Sequence, residues 1–243
     1  MIRNTPPLFA ALLSLNLCAQ AQQAPDATAL YSQAVRQMKA EDHIAAAHTF
    51  TELLALRPEM GKAWYYRGLC RQTNNDLSGA AHDLERAVAL EPGDANAQLR
   101  LYDVYAAQGK GTQAIDGLTN LLMRFPVGAF AVHTMFSLGN AHVLQNDHAS
   151  ALAVYERLVK QAPDDARAWF DRGVTKSHLK DLGGAIADMT KALELDPSLT
   201  NAYASRALAL IHAERKAEAC PDLMKANELG DTSVAELMAI YCD

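Results

Sequence analysis

GKAWYYRGLCRQTNNDLSGAAHDLERAVALEP, residues Gly61–Pro92, returns in outline as ARAWFDRGVTKSHLKDLGGAIADMTKALELDP, residues Ala166–Pro197. Both stretches open on an AW-x-x-RG phrase, at Ala63–Gly68 and Ala168–Gly173, and close on an apolar run ending in proline. The closing phrase recurs through the chain: LLALRP ends at Pro58, AVALEP at Pro92, LLMRFP at Pro126, LVKQAP at Pro163 and ALELDP at Pro197. Pro58, Pro92 and Pro126 are 34 residues apart, and Pro163 to Pro197 repeats the interval. Self-similarity at a fixed period decides the architecture, because each unit must bury its apolar face against its neighbours.

With each proline set at position 32, six units align. Position 4 reads Leu30, Trp64, Gln98, Met135, Trp169, Tyr203, and position 8 reads Ala34, Gly68, Tyr102, Gly139, Gly173, Ala207. Position 20 is alanine six times (Ala46, Ala80, Ala114, Ala151, Ala185, Ala219), and position 24 is Phe50, Leu84, Leu118, Tyr155, Met189, Leu223. Small residues where two helices cross, flanked by large ones, describe a closely packed helical hairpin. Proline and the Asp/Asn/Gly clusters end each helix, since proline lacks the N–H a helix needs and restricts the residue before it. Tyr102 is bulky at a crossing position, so the third hairpin is expected to splay or shift register. Pro126 to Pro163 spans 37 residues, which places three extra around Val127–Ala129.

These residues resemble the tetratricopeptide repeat (TPR), over about Ala27 to Leu229. The resemblance implies an all-α fold: a right-handed superhelix, or α-solenoid, of about six helix-turn-helix repeats with a C-terminal capping helix. The repeats would run over 27–60, 61–94, 95–128, 132–165, 166–199 and 200–230, with the cap at 231–243. Val234, Leu237, Met238 and Tyr241 give that last helix an apolar stripe, and Ser233-x-x-Glu236 is a capping-box pattern for its start. Half the residues are hydrophobic and 7% aromatic, as alanine-rich helices require, and the net charge of −6 argues against nucleic acid.

The N-terminus reads as an export signal. Arg3 precedes the largely apolar Leu8–Leu17, and Ala19-Gln20-Ala21 fits the cleavage rule. Residues 1–21 would be removed and 22–26 left as a disordered leader, in a periplasmic or secreted protein. Cleavage takes Arg3 and no acid, moving the net charge from −6 to −7. The alternative is a lipoprotein anchored through Cys18, although Leu17 stands where a small residue is usual. Cys220 and Cys242 are about equally distant from the turn Asn227–Ser233, so antiparallel helices would bring the thiols level for a disulfide. Two small buried hydrophobes are the other reading. The phrase AEACPDLMKANELGD also resembles the closing segment of exported bacterial TPR proteins. Cys70 reads as a packed free thiol.

Chemistry is sparse. No G-x-S-x-G, Walker loop, G-x-G-x-x-G or H-E-x-x-H occurs, which excludes the commonest enzyme signatures. His178 and His212 share position 13 of adjacent repeats, but two histidines without a third ligand make a poor metal site. No cofactor and no metal are expected. Carboxylates such as Asp42 and Asp165 sit in turns as helix caps, and Arg67, Arg172 and Arg206 at position 7 read as stems over the helix pair with their heads in water. What remains is the concave groove that the resemblance implies, lined at positions 2, 5, 9, 12 and 13. Those positions bring together Tyr31, Lys62, Tyr65, Leu69, Leu99, Phe136, Asn140, Arg167, Phe170, Val174, His178 and Leu208. Such a surface suits an extended or helical protein segment with apolar anchors. Self-association through the groove is the alternative.

Overall fold

A computed structural model describes residues 26–242; the expected signal over 1–21 with Cys18, residues 22–25 of the expected leader and Asp243 lie outside them. The described residues form thirteen α-helices and one 3₁₀ turn, with no strand among them. They divide into two compact units, one ending at Glu91 and one starting at Pro92. The first holds α1 (Ala27–Lys39), α2 (His43–Leu56), α3 (Gly61–Thr73) and α4 (Leu77–Leu90). The second holds α5 (Ala95–Ala107), α6 (Gly111–Arg124), α7 (Ala129–Leu144), α8 (His148–Gln161), α9 (Ala166–His178), α10 (Leu182–Leu195), α11 (Thr200–His212) and α12 (Lys216–Glu228). A 3₁₀ turn (Thr232–Val234) then leads into α13 (Ala235–Tyr241).

The helix boundaries follow from local chemistry. Asp42, Asp76, Asp147 and Asp181 each accept a hydrogen bond from the backbone N–H three residues on, which caps α2, α4, α8 and α10. Asp26 and Asp165 cap α1 and α9 by accepting from the N–H two residues on, and Asp94 caps α5 by accepting from Asn96 and Ala97, so Asp26 is a cap and not part of a leader. The residue before each second-helix cap turns left-handed, at φ 61° for Glu41, 62° for Asn75, 57° for Asn146 and 65° for Lys180. The capping box at Ser233 is not what forms. Asp231 accepts from the Ser233 N–H instead, and the chain makes a 3₁₀ turn before α13 begins. The three extra residues do not lengthen a loop. They extend α7 to 16 residues, against 13 in α5, α9 and α11, starting at Gly128 with φ 88°.

Crossing positions pack as their volumes require. Ala34, Ala46, Ala80, Ala114, Ala151, Ala185, Ala207 and Ala219 are fully buried. A Cβ on Gly68 would fall 3.0 Å from Leu84, and one on Gly173 would fall 3.1 Å from Met189. In the third hairpin the bulk is exchanged: Tyr102 lies over Gly117, where an added Cβ would strike the ring. The Trp and Pro phrases are joined by a hydrogen bond. Trp64 Nε1 donates to the Pro58 carbonyl at 2.8 Å, Trp169 Nε1 to that of Pro163 at 2.8 Å, and Gln98 Nε2 to that of Pro92 at 2.8 Å. Three of the proline turns are thereby tied to the helix that follows, while the Pro126 carbonyl accepts from Gln161 Nε2 at 3.0 Å.

The arginines at position 7 correct the sequence reading, because their heads are not in water. Arg67 donates to both carboxylate oxygens of Asp83 at 2.7 and 2.8 Å, Arg172 to Asp188 at 2.7 and 2.6 Å, and Arg206 to Asp222 at 2.8 and 2.6 Å. All three aspartates are buried. The guanidiniums also lie over aromatic rings, 4.7 Å above Trp64, 4.7 Å above Trp169 and 5.9 Å above Tyr203. Arg67 and Arg206 donate further to Thr51 and Thr190 in the preceding repeat, each at 3.0 Å. A planar fork with five donors suits this bridging, which lysine could not copy.

Candidate functional site

The candidate groove residues come from the first helix of each repeat, and the two units treat them differently. In the first unit the rings are engaged with one another. Tyr31 meets Phe50 and Tyr66 edge-on, with centroids 6.3 Å away in both cases, and Tyr66 stacks on Phe50 at 6.0 Å. Tyr65 lies 5.2 Å from Tyr66. Burial beside Tyr66 raises the Tyr31 phenol above its ordinary range. Lys62 is exposed and Leu69 half-buried. Tyr31 also lines a hollow of about 410 Å³ with Ala27, Thr28 and Met60.

In the second unit the sequence reading needs one correction: Leu99 is not a groove residue. Its aliphatic side chain is only 5% exposed and joins the cluster that includes Leu118, Met135 and Leu138. The remaining residues do present an open face. Phe136, Phe170 and Val174 are half-buried, Leu208 is 41% exposed, and Asn140, Arg167 and His178 are exposed beside them. Val174, Ser177, His178, Ser205, Leu208 and His212 line a hollow of about 280 Å³. The equal repeat positions of His178 and His212 therefore do place them at one cavity. His148, the first residue of α8, stacks on His178 at 4.4 Å with the rings nearly parallel. No group of three possible metal ligands occurs among the described residues.

Two carboxylates in this unit stand out: Asp103, at groove position 9 of the third repeat, and Asp171, which the sequence reading missed. Asp103 is half-buried and its carboxyl is raised by burial, an effect that hydrogen bonds from Ser137 and Arg100 oppose. Asp171 is half-buried on α9, and desolvation pushes its carboxyl up to about 6, against the pull of Arg167 and with help from Asp165. The Asp171 carbonyl accepts from the Thr175 hydroxyl at 2.8 Å, but its carboxylate accepts no hydrogen bond from any described residue. Arg167, four residues earlier on the same helix face, lies over the Phe136 ring at 4.7 Å and makes no salt bridge. The signal that could have found Asp171 is its place: position 6 holds an aromatic ring, Tyr66, in the second repeat and an acid in the fifth.

At the C-terminal end, Val234 is buried, and Leu237, Met238 and Tyr241 pack on a cluster with Leu210, Leu223 and Ala226. Cys220 on α12 and Cys242 after α13 have Cα atoms 5.1 Å apart and their sulfurs adjoining, within the span of a disulfide. Cys70 is buried on α3, and burial pushes its thiol up to about 11, so it is inert. No helix among the described residues is long and apolar enough to cross a membrane.

Paired helices of fixed period, tied turn to helix and opening one face, define an α-helical repeat module for binding other proteins. Models described as tetratricopeptide repeat match residues 31–80, 71–135 and 138–210. The chain belongs to the tetratricopeptide repeat family, whose members are protein-interaction modules and not enzymes. Among curated relatives, a Protein SGT1 homolog from Oryza sativa subsp. japonica is 30% identical over 115 residues, 46% of this chain and 31% of that protein. The chain spans a third or less of the length of the curated relatives it first matches. A tetratricopeptide repeat protein from Parabacteroides merdae has a similar fold, with TM-score 0.73 and 14% identity, covering 95% of this chain and 90% of its own. YrrB, described as a TPR protein with an unusual peptide-binding site, gives TM-score 0.56 and 21% identity over 79% of this chain and 98% of its own.

Proposed function

We propose that this protein works in the bacterial cell envelope as a scaffold that grips a protein segment on the inner-helix face of its second unit. The observation that carries this reading is an apolar face left half-open: Phe136 and Phe170 are half-buried on it, and Val174 and Leu208 line the 280 Å³ hollow. Alanines and leucines at neighbouring positions are fully buried, so this face holds apolar area that the fold itself does not cover. Exposed Arg167, Asn140 and His178 beside it supply orientation, while the aromatics supply burial. The first unit is the weaker candidate, because Tyr31 and Tyr65 are engaged with Tyr66. The envelope location rests on the Met1–Ala21 signal pattern and on the Cys220–Cys242 pair, which we take to be oxidised, as suits an exported chain.

Affinity capture from the envelope fraction tests the reading, comparing the wild-type protein with a Phe136→Ala/Phe170→Ala variant shown by circular dichroism to be folded. Each truncation costs about 1–3 kcal/mol of binding, so a bound partner should be lost at least tenfold. A partner held equally by both proteins places binding elsewhere. A protein that captures only copies of itself points to self-association, which sedimentation at several concentrations then measures.

A further inference from the structure

We propose that Asp171 sets the specificity of this face, by selecting a partner segment that brings a lysine or arginine to the carboxylate beside Phe136. The inference rests on the groove reading above and names the chemistry of the partner. Three observations converge on it.

The first is the contrast between the acids. Asp83, Asp188 and Asp222 are each held by a bidentate arginine, and Asp103 is held by Ser137 and Arg100. Asp171 is half-buried and its carboxylate accepts no hydrogen bond from the described residues, although burying an unpaired carboxylate is costly. Arg167, the cation that acts on it, places its guanidinium over the Phe136 ring at 4.7 Å and forms no salt bridge among the described residues.

The second is the space. At the same repeat position Tyr66 fills the gap before Tyr31 and Phe50, with centroids at 6.3 and 6.0 Å. The residues equivalent to Tyr31 and Phe50 for the fifth repeat are Phe136 and Tyr155. By that equivalence the chain puts a short acid where an aromatic ring would sit between two others, and the Asp171 charge acts on the Tyr155 phenol. The third is the ring itself. Phe136 already accepts a guanidinium on its face, so the wall is suited to a cation, and a carboxylate and a π-face together hold a basic side chain more firmly than either alone. Arg167 is exposed and no acid holds its side chain by a hydrogen bond, so its guanidinium can yield the ring to an incoming side chain.

Panning a phage-displayed random 12-residue peptide library against the full-length protein tests this, with Asp171→Asn and Asp171→Ser variants in parallel. Serine already occupies the same repeat position at Ser137 and Ser205, and thermal melts confirm that both variants fold. The expected result is a set of peptides with apolar anchors and one aligned lysine or arginine. Enrichment at that position falls at least fivefold on either variant, and a synthetic selected peptide binds each variant at least tenfold more weakly. Peptides that depend on Phe136 and Phe170 but show no basic position, or bind all three proteins alike, overturn the role of Asp171 and leave the groove standing. If no peptide is selected, or selected peptides bind the Phe136→Ala/Phe170→Ala variant unchanged, the groove reading fails and this inference with it.

Discussion

At the scale of single residues, Asp171 opposes the fold that carries it. Its carboxyl is raised to about 6 by burial, with Asp165 adding repulsion and Arg167 opposing both. In the unfolded chain an aspartate titrates near 4. Between these values the folded protein holds the proton that the unfolded chain has lost, so stability falls as pH rises from about 4 to about 6, and the deficit persists above that. Replacing Asp171 by asparagine removes a charge that water only partly reaches, so the deficit is about 1–2 kcal/mol after discounting for that exposure. Thermal melts should show Asp171→Asn more stable than wild type by a few degrees at pH 7.5 and level with it at pH 4. A variant less stable at pH 7.5 would mean that the carboxylate is satisfied within the fold. Stabilisation alongside loss of peptide binding is the pattern expected of a functional residue kept at the expense of stability.

At the scale of elements, each hairpin solves one packing problem with a different pair of side chains at positions 7 and 23. Repeats two, five and six use Arg67 with Asp83, Arg172 with Asp188 and Arg206 with Asp222, whereas the third uses Leu101 with Gly117 and the fourth Leu138 with Val154. The glycine belongs with Tyr102: the third hairpin accommodates a bulky crossing residue by emptying the position facing it. Gly117→Ala should therefore destabilise by about 1–3 kcal/mol in chemical denaturation, although alanine is the better helix former. In a Tyr102→Ala background the same change should be neutral or stabilising, and a wild-type background stabilised by Gly117→Ala would refute the exchange. The hairpins themselves were legible, because the 34-residue period, the alanine at position 20 and the aspartate caps are local signals written at fixed spacing. The pairing of positions 7 and 23 was legible in principle, since Asp83, Asp188 and Asp222 recur in the repeats that carry arginine. It was missed because an arginine stem reads the same whether its head meets water or a buried acid. Leu99 was misplaced for a related reason: counting gives the face of a helix, and only the neighbours' volumes decide whether that face is covered.

At the scale of the molecule, repeats bury apolar area only against their neighbours, so stability accumulates along each unit and the last hairpin has one uncovered side. The second unit closes that side with the 3₁₀ turn and α13, placing Val234, Leu237, Met238 and Tyr241 on α11 and α12. A helix of seven residues is too short to hold itself. Its attachment rests on this packing and on Cys242, whose Cα lies 5.1 Å from that of Cys220. Oxidation would remove the loop-closure entropy of the intervening chain, about 3 kcal/mol in the chain-entropy model. Reduction, or Cys242→Ser, should then speed amide exchange in α11 to α13 while leaving α1 to α4 unchanged, because those helices form a separate compact unit. If the proposed export is right, protein purified from the envelope should gain the mass of two hydrogens on reduction, which reports the oxidised pair directly. Free thiols in that preparation, with exchange in α11 to α13 indifferent to reductant, would show that packing alone holds the cap and would withdraw the strongest structural support for export.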